Sequence, residues 1–172
     1  MGADGNLSLR RGERVLITPS QVAYDELEPA SIAELDLEGR GGPNPSSERE
    51  VHLAVYRKRV DVQAVIHAHP VHACVLAVLR QPLPEVLDEV APVLGGGVGV
   101  AEYAASGTPE LGRSAAAALG QRQAVLLANH GSVTVGRDLA EAFYRLEVLE
   151  RAARVYLLAR LAGDPTFVPP PD

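Results

Sequence analysis

The stretch from Val60 to Pro70 constrains the fold most, because within it the chain must leave a sheet and enter a helix. Val60 to Ile66 alternates apolar and polar residues and then turns fully apolar, the pattern of a strand entering a core. Strand side chains repeat with period two, so His67 and His69 project from the same face at the strand's C-terminal end. Pro70 cannot donate a further ladder bond and suits the first turn of a helix, which Val71 to Leu79 continues. Two imidazoles side by side at such a junction form half of a metal site. An isolated His-x-His suits ordinary hydrogen-bonding histidines equally well.

The remaining segments alternate between strand and helix signals. Leu7–Arg10 and Arg14–Thr18 read as short strands around a hairpin turn at Arg11-Gly12-Glu13. Ile32–Leu37 mixes apolar and acidic residues as an exposed edge strand does, and Gly39–Pro45 is a turn-rich loop. Ser47-Glu48-Arg49-Glu50 has capping-box spacing, which predicts a helix from Glu48 to Arg59 with Val51, Ala54 and Val55 facing inward. Pro82–Gly99 reads as irregular, with short strands near Val86 and Val98. Thr108-Pro109 opens another helix, stopped by Gly120. Ala124–Ala128 and Ser132–Val135 are apolar strands broken by Asn129-His130-Gly131. The last helix begins near Asp138, with Ala142, Leu146, Leu149, Ala153, Tyr156 and Arg160 along one stripe. The mixture predicts an α/β protein: one three-layer α/β/α domain over residues 1–164 with a mixed, largely antiparallel central sheet. Residues 165–172 read as a loose, proline-rich tail.

Composition narrows the partners. A net charge of −6 and the lack of a basic stripe argue against nucleic acid. No run of 18 apolar residues is present, which argues against a membrane partner. One cysteine, Cys74, excludes an intrachain disulfide and fits a reducing cytoplasm. It also leaves a transition metal to histidine and carboxylate ligands.

His130 is the natural third ligand, at a strand end like that of His67 and His69, with Gly131 available for a sharp turn that would aim it inward. Ordinary Asn/Gly turn chemistry explains the same residues locally. Glu48, in the first turn of its helix, is the candidate carboxylate. The same helix start, with Ser46 and Ser47, suits a phosphate. His52 lies one turn after Glu48 and is expected at the surface or behind that carboxylate. His72, beyond Pro70, is expected to point elsewhere or to support the ligands from behind. Three histidines and a glutamate suit Zn²⁺, with Glu48 moving a proton. The polar turns Gly5-Asn6-Leu7-Ser8 and Thr18-Pro19-Ser20 supply hydrogen bonds for oxyanions.

Taken in order, Gly5-Asn6-Leu7-Ser8, Leu16-Ile17-Thr18-Pro19-Ser20, Ser46-Ser47-Glu48, His67-Ala68-His69, Gly107-Thr108-Pro109-Glu110-Leu111 and Asn129-His130-Gly131 resemble the class II aldolase/adducin family, nearest to its fuculose-1-phosphate-cleaving branch. The resemblance implies Zn²⁺, or another divalent transition metal, held by His67, His69 and His130, with Glu48 able both to ligate and to act as acid and base. It implies a substrate phosphate held by Asn6, Ser20, Ser46 and Ser47. It implies cleavage of a ketose 1-phosphate to dihydroxyacetone phosphate and an aldehyde through a zinc-stabilised enediolate, in a homotetramer with sites between subunits. No Schiff-base lysine is then needed, and Lys58 is the chain's only lysine.

Three positions depart from the family's pattern. Its usual helix ahead of Gly5 has no counterpart, and Gln21 stands where the aldolases carry a phosphate-holding glycine. Asp88 falls near the place of a catalytic tyrosine and is the candidate proton donor. Sugar-acid phosphate decarboxylases, dehydratases and 4-epimerases share the scaffold, although the epimerases typically carry aspartate at the place of Glu48. Adducin-like binding modules share it without the metal ligands.

Overall fold

The computed structural model describes residues 4–169, and its strands form one seven-stranded sheet. The alternation near the N-terminus becomes a hairpin of β1 (Asn6–Arg11) and β2 (Arg14–Ile17), with Arg11 paired to Arg14 and Gly12 turning at a φ of 61°. The acidic segment becomes β3 (Ala33–Asp36), an edge strand that buries Ala33 and Leu35 and exposes Glu34.

The strand that carries His67 is β4 (Ala64–Ala68), near the middle of the sheet between β1 and β7 (Gly131–Gly136). β6 (Ala124–Leu127) follows β7 in the order β3-β2-β1-β4-β7-β6-β5, and β5 (Val100–Ala101) closes the far edge. Every pairing is antiparallel except that of β5 with β6, so the sheet is mixed.

Helices cover both faces. α1 (Arg49–Lys58) and α4 (Pro109–Leu119) lie on one, where Val51, Val55, Leu111 and Ala115 pack with Val65, Val125 and Val133. Their backbones touch at Gly112, where a Cβ would stand only 2.4 Å from the Glu50 carbonyl oxygen and glycine is therefore required. On the other face, α2 (Val71–Leu79), α3 (Val90–Leu94) and α5 (Leu139–Ala162) bury Leu76, Leu94, Leu149 and Ala153 against Ala124 and Leu126. Truncating one such leucine to alanine costs about 2–5 kcal/mol. The expected three-layer α/β/α architecture is therefore present.

Four local expectations need correction. The capping box at Ser47 does not form: Glu48 occupies the N-cap of α1, and Ser46 Oγ accepts the Glu48 N–H instead. No strand forms around Val86; Leu83 bridges to Val98, and the segment between holds α3. The stripe on α5 buries Ala142, Leu149, Ala153 and Tyr156 but leaves Arg160 exposed, its guanidinium 5.9 Å from the Tyr156 ring. The described part of the tail is tied down, since the Val168 N–H donates to the Glu85 carbonyl and Phe167 lies beside Tyr156. Met1–Ala3 and Pro170–Asp172, which the domain and tail expectations also cover, lie outside the described residues.

Candidate metal centre and substrate cleft

The central position of β4 decides where its histidines point. His67 pairs with Asn6 on β1 and Val133 on β7, and its ring is buried. His69 follows past the strand end, with Pro70 capping α2. His130 comes from the turn between β6 and β7. There Asn129, at a φ of 56°, makes the left-handed step that was expected of Gly131. Gly131 is needed for a different reason: a Cβ on it would meet His69 Cδ2 at 2.5 Å and the Ala68 carbonyl oxygen at 2.7 Å. The glycine is the floor on which the imidazoles rest.

One ring nitrogen from each of His67, His69 and His130 falls in a cluster whose members all lie within 4.8 Å of one another. The ring centroids are 4.7–5.1 Å apart. His67 Nδ1 lies 3.0 Å from the Ser132 carbonyl oxygen, which can only accept, so the proton sits on Nδ1 and Nε2 presents a lone pair. That Nε2 stands 3.0 Å from His69 Nε2.

Burial, reinforced by the neighbouring His130 and His69, pushes the His67 pKa down to about 3. Burial lowers His69 and His130 as well. All three are thus held neutral, as metal ligation requires. Two buried atoms have no hydrogen-bond partner among the described residues, His130 Nδ1 and Glu48 Oε2. Unpaired buried polar atoms are costly and call for a missing partner. The donor set, its neutrality and these orphaned atoms fit a divalent transition metal.

Glu48 stands in the same cleft but outside the three-histidine cluster. Burial raises its carboxyl above the ordinary range, while the Ser106 hydroxyl, the Gly107 N–H and His69 pull it back. A carboxyl raised by burial keeps its proton more readily than an exposed one, the property wanted of a group that both takes and gives a proton.

The cleft, about 410 Å³, also brings Asn6, Ser20, Ser46 and Ser47 together as expected. Gln21 lines it with a φ of 60°, so this residue adopts the left-handed backbone that a glycine takes easily.

Other expected residues fall elsewhere. Asp88 is exposed in the turn before α3 and does not line the cleft, so within one chain it is no proton donor to this site. His52 is neither exposed nor behind Glu48; it is fully buried between Ser8 and Asn6. Ser8, expected among oxyanion donors, points into the α1 layer, because it sits opposite Val65 on the face that α1 covers. His72 pairs with Glu150, away from the cluster, as expected. Lys58 is exposed at the end of α1. Ser106 and Asp4 line the cleft without having been singled out. Ser106, 3.4 Å from His130 Nε2, was signalled only by its place just ahead of the Gly107-Thr108-Pro109 helix start.

A mixed sheet sandwiched by helices, with three clustered histidines where strands end, is a scaffold built to bring three candidate metal ligands together. The family model for the class II aldolase and adducin N-terminal domain matches residues 1–157. The chain is 39% identical to a 5-methylthioribulose-1-phosphate/5-deoxyribulose-1-phosphate aldolase of Rhodospirillum rubrum, over 98% of this chain and 77% of that protein. It is 36% identical to an L-fuculose phosphate aldolase of Escherichia coli O6:H1, over 97% of this chain and 79% of the relative. A solved L-fuculose 1-phosphate aldolase superposes with a TM-score of 0.94 at 43% identity, covering 98% of this chain and 81% of the other. The chain belongs to the class II aldolase and adducin family, and its kinship is with the aldolases, which are carbon–carbon lyases.

Proposed function

We propose that this protein reversibly cleaves a ketose 1-phosphate of the fuculose-1-phosphate type to dihydroxyacetone phosphate and an aldehyde. The observation that carries the reading is the set of three neutral histidines sharing one cleft with a buried, partner-seeking Glu48. His67, His69 and His130 would hold the metal, zinc by preference, with Glu48 in the same cleft as the further carboxylate ligand the resemblance implies. When bound, the metal supplies Lewis acidity to the substrate oxygens beside the bond that breaks.

The chain's own residues do the rest. Asn6, Ser20, Ser46 and Ser47 hold the phosphate with neutral donors, aided by the N-terminal end of α1. That grip places the three-carbon half beside Glu48. Cleavage requires the aldehyde-side hydroxyl to lose a proton and the three-carbon half to gain one at carbon. Glu48 is the group placed to deliver the second, and in condensation it removes it. With Lys58 exposed outside the cleft, no residue here can form a Schiff base.

The aldehyde half is set by whatever closes the open side of the cleft. Exposed Val71, Val78 and Leu79 on α2 and Leu158 and Leu161 on α5 form an apolar surface that supports self-association, which we propose is a homotetramer with sites at subunit interfaces. Among the described residues no helix is long and apolar enough to cross a membrane, which supports a cytoplasmic enzyme. A screen of phosphorylated ketoses and sugar acids with metal-loaded protein, scored for dihydroxyacetone phosphate and for carbon dioxide, tests the reading. Carbon dioxide without dihydroxyacetone phosphate would replace it with a decarboxylase.

A further inference from the structure

Glu48, His52 and Tyr56 are spaced four residues apart on α1 and form one stripe facing the sheet. Glu48 reaches the cleft, whereas His52 and Tyr56 lie below it, buried against β1. Asn6 and Ser8, two apart on β1, share the face that meets them. The side chains form an unbroken chain: Tyr56 Oη to Ser8 Oγ at 2.7 Å, Ser8 Oγ to His52 Nδ1 at 2.7 Å, and His52 Nε2 to Asn6 Oδ1 at 2.5 Å.

The direction of each proton in this chain follows from the Asn6 side-chain oxygen facing His52. The Asn6 side-chain oxygen can only accept, so His52 Nε2 carries the hydrogen and donates. Complete burial keeps His52 neutral, so its Nδ1 is bare and must accept the Ser8 hydroxyl hydrogen. Ser8 has one hydrogen and has used it; its oxygen therefore accepts from Tyr56 at 2.7 Å, a shorter contact than the 3.5 Å from Tyr56 Oη to the Gln63 carbonyl oxygen. At the other end Asn6 is left with both amide hydrogens uncommitted to protein acceptors among the described residues, at the edge of the cleft.

We infer that Ser8 and His52, backed by Tyr56, are positioning residues that lock the Asn6 amide with its NH₂ group toward the substrate phosphate. The inference rests on the proposed role of Asn6 in holding that phosphate. Unsupported, a side-chain amide can turn over and present its oxygen, which repels an anion. With the Ser8 hydroxyl absent, His52 Nδ1 loses the hydrogen bond donated to it, and only the Asn6 oxygen holds the proton on Nε2. His52 can then carry it on Nδ1, bare its Nε2, and take a hydrogen from Asn6, turning the amide round.

The test uses the metal-loaded full chain and two readouts. Imidazole ¹⁵N resonances, assigned to His52 by their absence from His52→Gln, should show Nδ1 unprotonated and Nε2 protonated. Inorganic phosphate, as a competitive inhibitor, should bind Ser8→Ala about tenfold more weakly, the loss expected for one charge-assisted hydrogen bond. KM for the phosphorylated ketose should rise by about the same factor with kcat nearly unchanged. Tyr56→Phe should weaken phosphate binding in the same direction but less than Ser8→Ala, because the Ser8 hydroxyl remains able to donate to His52. A His52 proton on Nδ1 in the unmodified chain overturns the inference, and so does Ser8→Ala with unaltered phosphate inhibition. If the unmodified chain is not inhibited by phosphate, the phosphate reading of Asn6 fails instead. The tautomer of His52 still decides the orientation of the chain.

Discussion

Gly131→Ala should damage the proposed metal site although residue 131 carries no candidate ligand. The added methyl would stand 2.7 Å from the Ala68 carbonyl oxygen and 2.5 Å from His69 Cδ2, with His67 Cε1 at 3.3 Å. Ordinary contact begins near 3.4 Å, so Ala68 or Gly131 must retreat by about 0.7 Å, and His69 by more. Neither backbone is free to move: Ala68 pairs with Ser132 across the β4–β7 ladder, and Ser132 Oγ donates to the Ala68 carbonyl. Overpacking of this kind costs about 1–3 kcal/mol. At roughly 2–4 °C per kcal/mol for a chain of this size, Tm should fall by about 2–12 °C without metal.

The displaced rings add a second effect. Disturbing what supports metal ligands typically weakens metal binding by about 10–100-fold, which removes about 1.4–2.8 kcal/mol of metal-linked stabilisation at saturating metal. Thermal unfolding with and without zinc separates the two losses. The unmodified chain should gain clearly from zinc and Gly131→Ala should gain much less. A variant that kept the full zinc-dependent rise in Tm would refute the role given to Gly131.

Further expectations concern single residues. Glu48→Gln should retain the metal while losing exchange of the carbon-bound proton of dihydroxyacetone phosphate, measured by deuterium uptake; full exchange would remove Glu48 from the proton transfer. His52 takes a proton at about 6.5 when unfolded but only at about 3 when folded. Protons therefore favour the unfolded chain between those values, and the stability present above about pH 6.5 is lost as pH falls, by up to about 1.4 kcal/mol per unit. Urea unfolding of His52→Gln should show a pH slope shallower by about one proton, and an unchanged slope would place the titration elsewhere. Asp138 Oδ1 accepts the Glu141 N–H at 2.7 Å at the start of α5, so Asp138→Ala should cost about 1 kcal/mol in urea unfolding without altering KM.

Patterns that depend on one element at a time were legible in the sequence. The strand carrying His67, the Thr108-Pro109 helix start and the Asp138 cap all stand where local chemistry placed them. The convergence of His67, His69 and His130 followed from their positions at strand ends. What stayed hidden depended on a second element. Glu48 rather than Ser47 caps α1 because the incoming loop turns at Ser46, whose hydroxyl accepts the Glu48 N–H. Gly131 proved to be a matter of crowding beneath the rings, which only the β4–β7 pairing creates. His52 could be placed only at the surface or behind Glu48, because nothing in its own helix reveals that Ser8 and Asn6 face it from β1.

The central claim is a divalent-metal aldolase acting on a ketose 1-phosphate, and its most direct test is the release of dihydroxyacetone phosphate. L-Fuculose 1-phosphate and 5-deoxyribulose 1-phosphate should be offered to zinc-loaded protein and to protein stripped by chelation, with the product followed in a coupled assay. Release from at least one substrate, abolished by chelation and restored by zinc, is the expected result. No release from either ketose by zinc-loaded protein, or release that survives complete metal removal, would contradict the account.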